Sequence, residues 1–139
     1  MKGVGLIAVF AGPLLVAAGC GLGGGGTWPV PMDDARAQEL RDASARLVEE
    51  WRLTGEYAVD LAAVPKVIAD LAPQFVTIRS IQGNVVVNVQ VSGGFVHQGY
   101  LVVVTRADPA FQPRTGRNWR HDRLSDDITW YSEDPRRGP

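Results

Sequence analysis

From Asp33 onward the chain carries two hydrophobic periods, and each predicts a different element. Ala37, Leu40, Ala43, Leu47, Val48 and Trp51 recur at three- and four-residue spacing, which gathers side chains on one face of a helix. Asp33 or Asp34 stands where a carboxylate accepts the free N–H groups of a first turn and complements its positive end. Asp42, Arg46 and Glu50 follow four apart on the opposite face, where charges of opposite sign pair along a solvated surface. Gly55 supplies a C-terminal stop. Tyr57, Val59 and Leu61 then alternate with Glu56, Ala58 and Asp60, which predicts a short strand. Pro65 opens a second helix running to about Ala72, with Val67, Ile68 and Leu71 inward. A proline is tolerated in a first turn and costs about 3 kcal/mol in a helix interior.

Residues 75–81 and 85–91 flank Gly83-Asn84, a two-residue hairpin signal. That turn sets Ile81 opposite Val86, Ser80 opposite Val87, Ile78 opposite Val89 and Val76 opposite Val91. One face then collects Val76, Ile78, Val87, Val89 and Val91, and the other Thr77, Arg79, Asn88 and Gln90. Gly93-Gly94 predicts a second tight turn into a strand from Phe95 to about Thr105. Counted from that turn, His97 opposes Gln90 and joins the polar face. Gly99 marks a bulge or weak point, and the Val- and Leu-rich stretch after it reads as a central, buried strand. Residues 106–127, punctuated by Pro109, Pro113 and Gly116, read as a long loop anchored by Phe111 and Trp119. A last strand follows from Ile128 to Tyr131.

The expected fold class is α+β: an antiparallel β-meander of three to five strands, with one face covered by one or two helices. In outline it resembles cystatin-type or ferredoxin-type folds, a likeness of shape that implies no activity.

The N-terminus has a different character. Lys2 is the sole charge before Asp33, and residues 3–18 are almost wholly apolar, ending in Ala17-Ala18-Gly19-Cys20. A charged start, an apolar run and small residues make an export signal. The segment resembles the bacterial lipoprotein signal peptide. The resemblance implies that the Cys20 thiol receives a lipid, that residues 1–19 are removed, and that Cys20 becomes the N-terminus. Ala18 and Gly19 match the usual small residues, whereas Ala17 replaces the usual leucine and Pro13 interrupts the apolar run. An uncleaved membrane anchor and ordinary secretion with an incidental cysteine are the alternatives. Gly21 to Gly26, broken by Leu22 alone, is too glycine-rich for regular structure, and Pro29 and Pro31 stiffen the stretch leading into the domain. The expected organisation is therefore a signal peptide over 1–19, a lipidated cysteine and tether over 20–32, one domain over 33–132, and a polar tail over 133–139.

Composition narrows the function. The 139 residues suffice for one domain, and 45% apolar content supports a packed core. Fifteen acidic against 14 basic residues give no broad electrostatic claim on nucleic acid. One cysteine and two histidines leave no disulfide framework and no His- or Cys-built metal centre, so neither a metal nor another cofactor is expected. Arg79, Asn88, Gln90 and His97 form a candidate ligand or partner face, although an ordinary solvated sheet face has the same composition. His121, Asp122, Ser125, Asp126 and Asp127 have the residue types of acid–base catalysis or calcium binding. They lack the nucleophile elbow and the calcium-loop glycine, and a turn explains them more simply. Arg114, Arg117, Arg120 and Arg123, spaced every three residues around Trp119, read as a loop pinned by local ion pairs, with anionic headgroups as the other reading.

The expectation is a protein exported from a bacterial cell and anchored by lipid at Cys20 on the periplasmic or extracellular face of a membrane. It would act by binding a protein partner in the envelope, not as an enzyme. A secreted hydrolase using His97 or His121, or a structural subunit of an envelope complex, are the alternatives.

Overall fold

A computed structural model describes residues 29–54, 57–93, 96–113 and 118–133. Cys20, the tether glycines, Trp28, Gly55, Arg114, Arg117 and the tail beyond Glu133 lie outside the described residues. Helix α1 (Asp34–Thr54) begins where a carboxylate can cap it. The Asp33 side chain accepts the Arg36 N–H at 2.8 Å, and its carbonyl accepts the first intrahelical bond from Ala37. Ala37, Leu40, Ala43, Leu47 and Val48 are buried, and Trp51 packs at the margin. On the outer face Asp42 takes the Gln38 amide at 2.8 Å, and Arg46 reaches the Asp42 carbonyl, not its carboxylate.

The segment expected as a strand before Pro65 forms a single bridge, Ala58 to Thr77. Asp60 then accepts the Ala62 N–H at 2.9 Å and turns the chain into a 3-10 turn, Leu61–Ala63. Pro65 caps helix α2 (Lys66–Ala69), which is shorter than the periodicity predicts. Ile68 and Leu71 are buried, while Val67 is only partly so.

Five strands follow: β1 (Phe75–Ile81), β2 (Asn84–Ser92), β3 (Gln98–Thr105), β4 (Trp119–Arg123) and β5 (Ile128–Glu133). They form one sheet in the order β1-β2-β3-β5-β4, and each neighbouring pair is antiparallel. The α+β class therefore stands, with α1 packed across the sheet. The first three strands run as the expected meander, and beyond them β5 lies between β3 and β4. Among the described residues every strand pair is antiparallel, unlike the parallel βαβ pairing of a ferredoxin-type fold.

The hairpin faces are as expected, but its register is two residues away. Ile81 pairs with Asn84 and Ile78 with Val87, so the turn is Gln82-Gly83. Both have positive φ, 52° and 81°, as a type I′ hairpin turn requires. Asn84 is withdrawn from the turn because its buried side chain is fully engaged. Its amide donates to the Ile81 and Gln82 carbonyls, and its oxygen accepts the N–H groups of Ala107 and Asp108. A slip of two preserves both faces, since side chains alternate with period two.

The β2–β3 connection is also wider than expected. Ser92 donates its hydroxyl to the Val96 carbonyl at 3.1 Å, and Gly99, not His97, faces Gln90. The register shifts between Gln90 and Ser92, beside the predicted weak point at Gly99. A Cβ on Gly99 would sit 2.4 Å from the Val89 carbonyl oxygen and 2.6 Å from the Tyr131 hydroxyl. Glycine is thus required by closeness. β3 is the central strand, and Tyr100 to Val103 are buried. The stretch expected as one loop from 106 to 127 instead contains β4. Phe111 and Trp119 anchor it as expected.

Two apolar layers result. The larger lies between α1, α2 and one sheet face and includes Val76, Ile78, Val87, Val89, Tyr100, Val102, Ile128 and Trp130. The smaller lies on the opposite face and comprises Val86, Leu101, Val103 and Tyr131. The domain also extends past the expected boundaries. Val30 and Met32 pack on the main core, and the Val30 N–H donates to the Tyr100 hydroxyl at 2.9 Å. Glu133 belongs to β5.

Candidate functional site

The sheet face away from the helices carries the residues singled out in the sequence, and alternation explains why. Thr77 and Arg79 of β1, Asn88 and Gln90 of β2, Gly99 and Leu101 of β3, Thr129, Tyr131 and Glu133 of β5, and Trp119 and His121 of β4 share it through the strand pairings. It is not a uniformly open face. It divides into three zones of different chemistry.

The middle is closed. The Tyr131 hydroxyl donates to Asn88 Oδ1 at 2.9 Å, and Tyr131 is buried beside Leu101. Burial pushes the Tyr131 phenol up to about 12, against the smaller opposing influence of the Asn88 bond and the Arg79 charge. Asn88 is therefore a support for the second apolar layer, not an open contact.

At the β4 end, His97 Nδ1 meets Glu133 Oε2 at 2.9 Å. The His97 N–H reaches the same oxygen at 3.3 Å, and Glu133 returns its own N–H to the His97 carbonyl at 2.9 Å. The hydrogen bonds from His97 hold the Glu133 carboxyl below the usual range. The Trp119 ring lies 5.9 Å from the imidazole and 5.4 Å from the Tyr131 ring. Of the four residues expected as one patch, Gln90 and His97 both border Gly93, whereas Asn88 is taken up by Tyr131 and Arg79 by Tyr57.

At the β1 end, Arg79 Nε donates to the Tyr57 hydroxyl, and its guanidinium carbon sits 5.6 Å from the centre of that ring. Tyr57, Leu61, Phe75 and Ile81 are the exposed large apolar residues among the described ones. All four lie on β1 or on the segment that borders its edge. Phe75 is 60% exposed, more than a core aromatic tolerates. Grouped exposed apolar side chains beside a cation are the usual mark of a contact surface.

The residues of catalytic type between 121 and 127 are spread over a strand and a turn. His121 and Asp122 are successive strand residues and point to opposite faces. Asp122 pairs with Arg120 at 3.0 Å, Asp126 with Arg123 at 2.6 Å, and Asp127 with Arg106 at 3.1 Å. The Ser125 hydroxyl accepts from Arg41 at 3.4 Å. These pairs pin the β4–β5 turn. Among the described residues no group of three or more His, Cys, Asp or Glu is placed to hold a metal. Among the described residues two cavities lie on the helix side. One, about 470 Å³, is open and lined by charged residues including Arg36, Glu39 and Lys66, and the other, about 150 Å³, lies among Leu47, Trp51, Val59 and Ile78. Neither is lined by His97 or His121.

Glu133, Tyr57 and Phe75 were missed in the sequence. The alternation Thr129, Tyr131, Glu133 carries a signal for the first, since it continues the last strand by two residues. No described helix is long and apolar enough to cross a membrane. No family model, no curated protein and no solved structure matches the chain.

Proposed function

We propose that this is a lipid-anchored protein of the bacterial envelope that works by binding a protein partner through the Tyr57–Phe75–Arg79–Ile81 edge. The position of Cys20 carries the anchoring. It is the chain's one cysteine and directly follows Ala17-Ala18-Gly19 at the end of an apolar run. Val30 is already fixed to the domain, so the chain from Gly21 to Pro29 is the tether. A glycine-rich stretch of nine residues spans about 15–18 Å as a random coil, which would hold the domain just off a bilayer. The partner surface rests on the clustering of exposed apolar side chains along β1 around one cation. It suits a protein face that offers apolar side chains and a carboxylate opposite Arg79.

Labelling cells with a radioactive fatty acid tests the anchor: wild type takes the label and Cys20→Ala does not. Equal labelling of both would end the lipoprotein reading. Purification from membranes tests the surface: a protein co-purifying with wild type is lost with Phe75→Asp and retained with Lys66→Ala.

The 2.9 Å His97–Glu133 pair favours a second reading, because an imidazole oriented by a carboxylate is half of a hydrolytic site. A nucleophile is the missing half, and the nearby Ser92 hydroxyl is committed to the Val96 carbonyl. Hydrolysis of a chromogenic ester that His97→Ala abolishes would establish this reading over binding.

A further inference from the structure

Along the outer face of α1 many charges have partners. Asp42 takes the Gln38 amide, Arg41 reaches Gln38 and Ser125, and Arg52 meets Glu49 at 2.7 Å across three residues. Arg36 and Glu39 stand at the same three-residue spacing, yet among the described residues neither side chain makes a hydrogen bond or an ion pair. Their order accounts for the difference, since an acid that precedes its base along a helix pairs better than the reverse. Both residues instead line the cavity of about 470 Å³ beside α1 and α2.

This cavity has the size of a small-molecule site, for which about 300–1,000 Å³ is usual, and its walls restrict what fills it. Lys66 Nζ is held by both oxygens of Asp70, at 2.7 and 2.8 Å, and the Asp33 carboxylate caps α1. Arg36 and Glu39 therefore remain to read a ligand. A simple anion would meet three carboxylates, those of Asp33, Glu39 and Asp70. A bare metal ion fits no better, since among the described residues no three ligating side chains are placed to hold one. A ligand carrying both signs suits the pair: an oxyanion on the Arg36 fork, and an ammonium on Glu39 through charge-assisted hydrogen bonds. Among the described residues no aromatic side chain lines the cavity. A fully methylated ammonium, which has no N–H to donate and is held by ring faces, is thereby disfavoured. Side chains three apart on a helix have Cβ atoms about 5–6 Å apart, a spacing that suits a phosphate and a primary amine joined through two carbons.

The position supplies the source. Asp33 borders the cavity and follows Met32, which packs on the main core. Burial raises the Tyr100 phenol, and the Val30 N–H and the Arg36 charge lower it, so Arg36 lies within electrostatic reach of the hydroxyl that holds Val30. The cavity thus opens where the chain from Cys20 enters the domain. We propose that it binds the headgroup of a phospholipid carrying a phosphate and a primary ammonium, with Arg36 on the phosphate and Glu39 on the ammonium. The lipid source rests on the anchoring reading above, which sets this end of the domain nearest the bilayer; the charge pairing does not.

The test uses the full chain in detergent micelles free of phospholipid, titrated with glycerophosphoethanolamine, the soluble form of that headgroup. The amide NMR signals of Ala35 and Val67, which line the cavity, should shift saturably. Arg36→Gln and Glu39→Gln should each weaken binding by about tenfold or more. Arg46→Gln, on the same helix outside the cavity, should leave it unchanged. Glycerophosphocholine, with a methylated ammonium, and glycerophosphate, with none, should bind about tenfold more weakly or worse. Circular dichroism establishes that each variant is folded. Indifference to Arg36→Gln or Glu39→Gln, or equal binding of the choline form, would overturn the proposal. Saturation by phosphoethanolamine or glycine but not by the glycerol diester would overturn it too, by assigning the cavity to a free small molecule. Because the probe is soluble, the outcome does not depend on whether Cys20 carries lipid, which the fatty-acid label tests separately.

Discussion

Glu133 closes on His97 with both its main chain and its carboxylate, and so ties the end of β5 to the entry of β3. A carboxyl held below its ordinary value of 4.5 stabilises the fold above that value. The contribution is lost as pH falls through the lowered value. Glu133→Gln should therefore lower the melting temperature at pH 7 and leave it nearly unchanged at pH 3. Thermal scans of the two proteins at both pH values check this. An equal gap at both would show that the charge is not what holds the clasp.

Tyr131 behaves in the opposite sense. Its phenol rises from 10 to about 12 in the folded chain, so its contribution is complete below pH 10 and is lost as pH rises through 12. The loss is about 1.4 kcal/mol by pH 11. Tyr131→Phe should flatten this alkaline decline in urea titrations. A smaller decline should persist from Tyr100, which burial also raises.

Asn84 joins the β1–β2 turn to residues 107 and 108 through four hydrogen bonds. Asn84→Ala leaves buried main-chain groups without partners and should cost about 2–4 kcal/mol. Hydrogen exchange should accelerate at Ala107 and Asp108 before it does in β3.

The hydroxyl of Ser44 is buried in α1 with no hydrogen-bond partner among the described residues. Ser44→Ala removes a desolvated polar atom at little cost in packing. It should stabilise the fold by about 1 kcal/mol, raising the melting temperature by about 3–5 °C.

Gly99→Ala should have the largest effect of any single methyl in the sheet. The new Cβ meets the Val89 carbonyl and the Gln90 Cα, both main chain, which cannot step aside as a side chain can. Loss of cooperative unfolding, or of soluble protein, is expected. A near-normal melting temperature would mean that the β2–β3 pairing relaxes readily.

Helix α1 was legible because its signals are local. Asp33 caps within three residues, and the apolar stripe needs only the helical period. The faces of the β1–β2 hairpin were legible for the same reason. Its register was not, because what draws Asn84 inward lies more than twenty residues away. β4 was hidden by its own polarity: Trp-Arg-His-Asp-Arg becomes a strand only because β5 lies beside it. Arg79 and Asn88 were placed correctly on one face, whereas the partner of His97 is 36 residues distant. Local spacing carries no trace of such a pair.

The grip of the Tyr100 phenol on Val30 governs how the domain would bear a mechanical load. Traction applied through the N-terminus arrives first at the midline of the sheet, where strands flank β3 on both sides. Helix α1, which starts four residues later, is strained only after that grip fails. The lipid anchor proposed above would thus load the sheet before the helix.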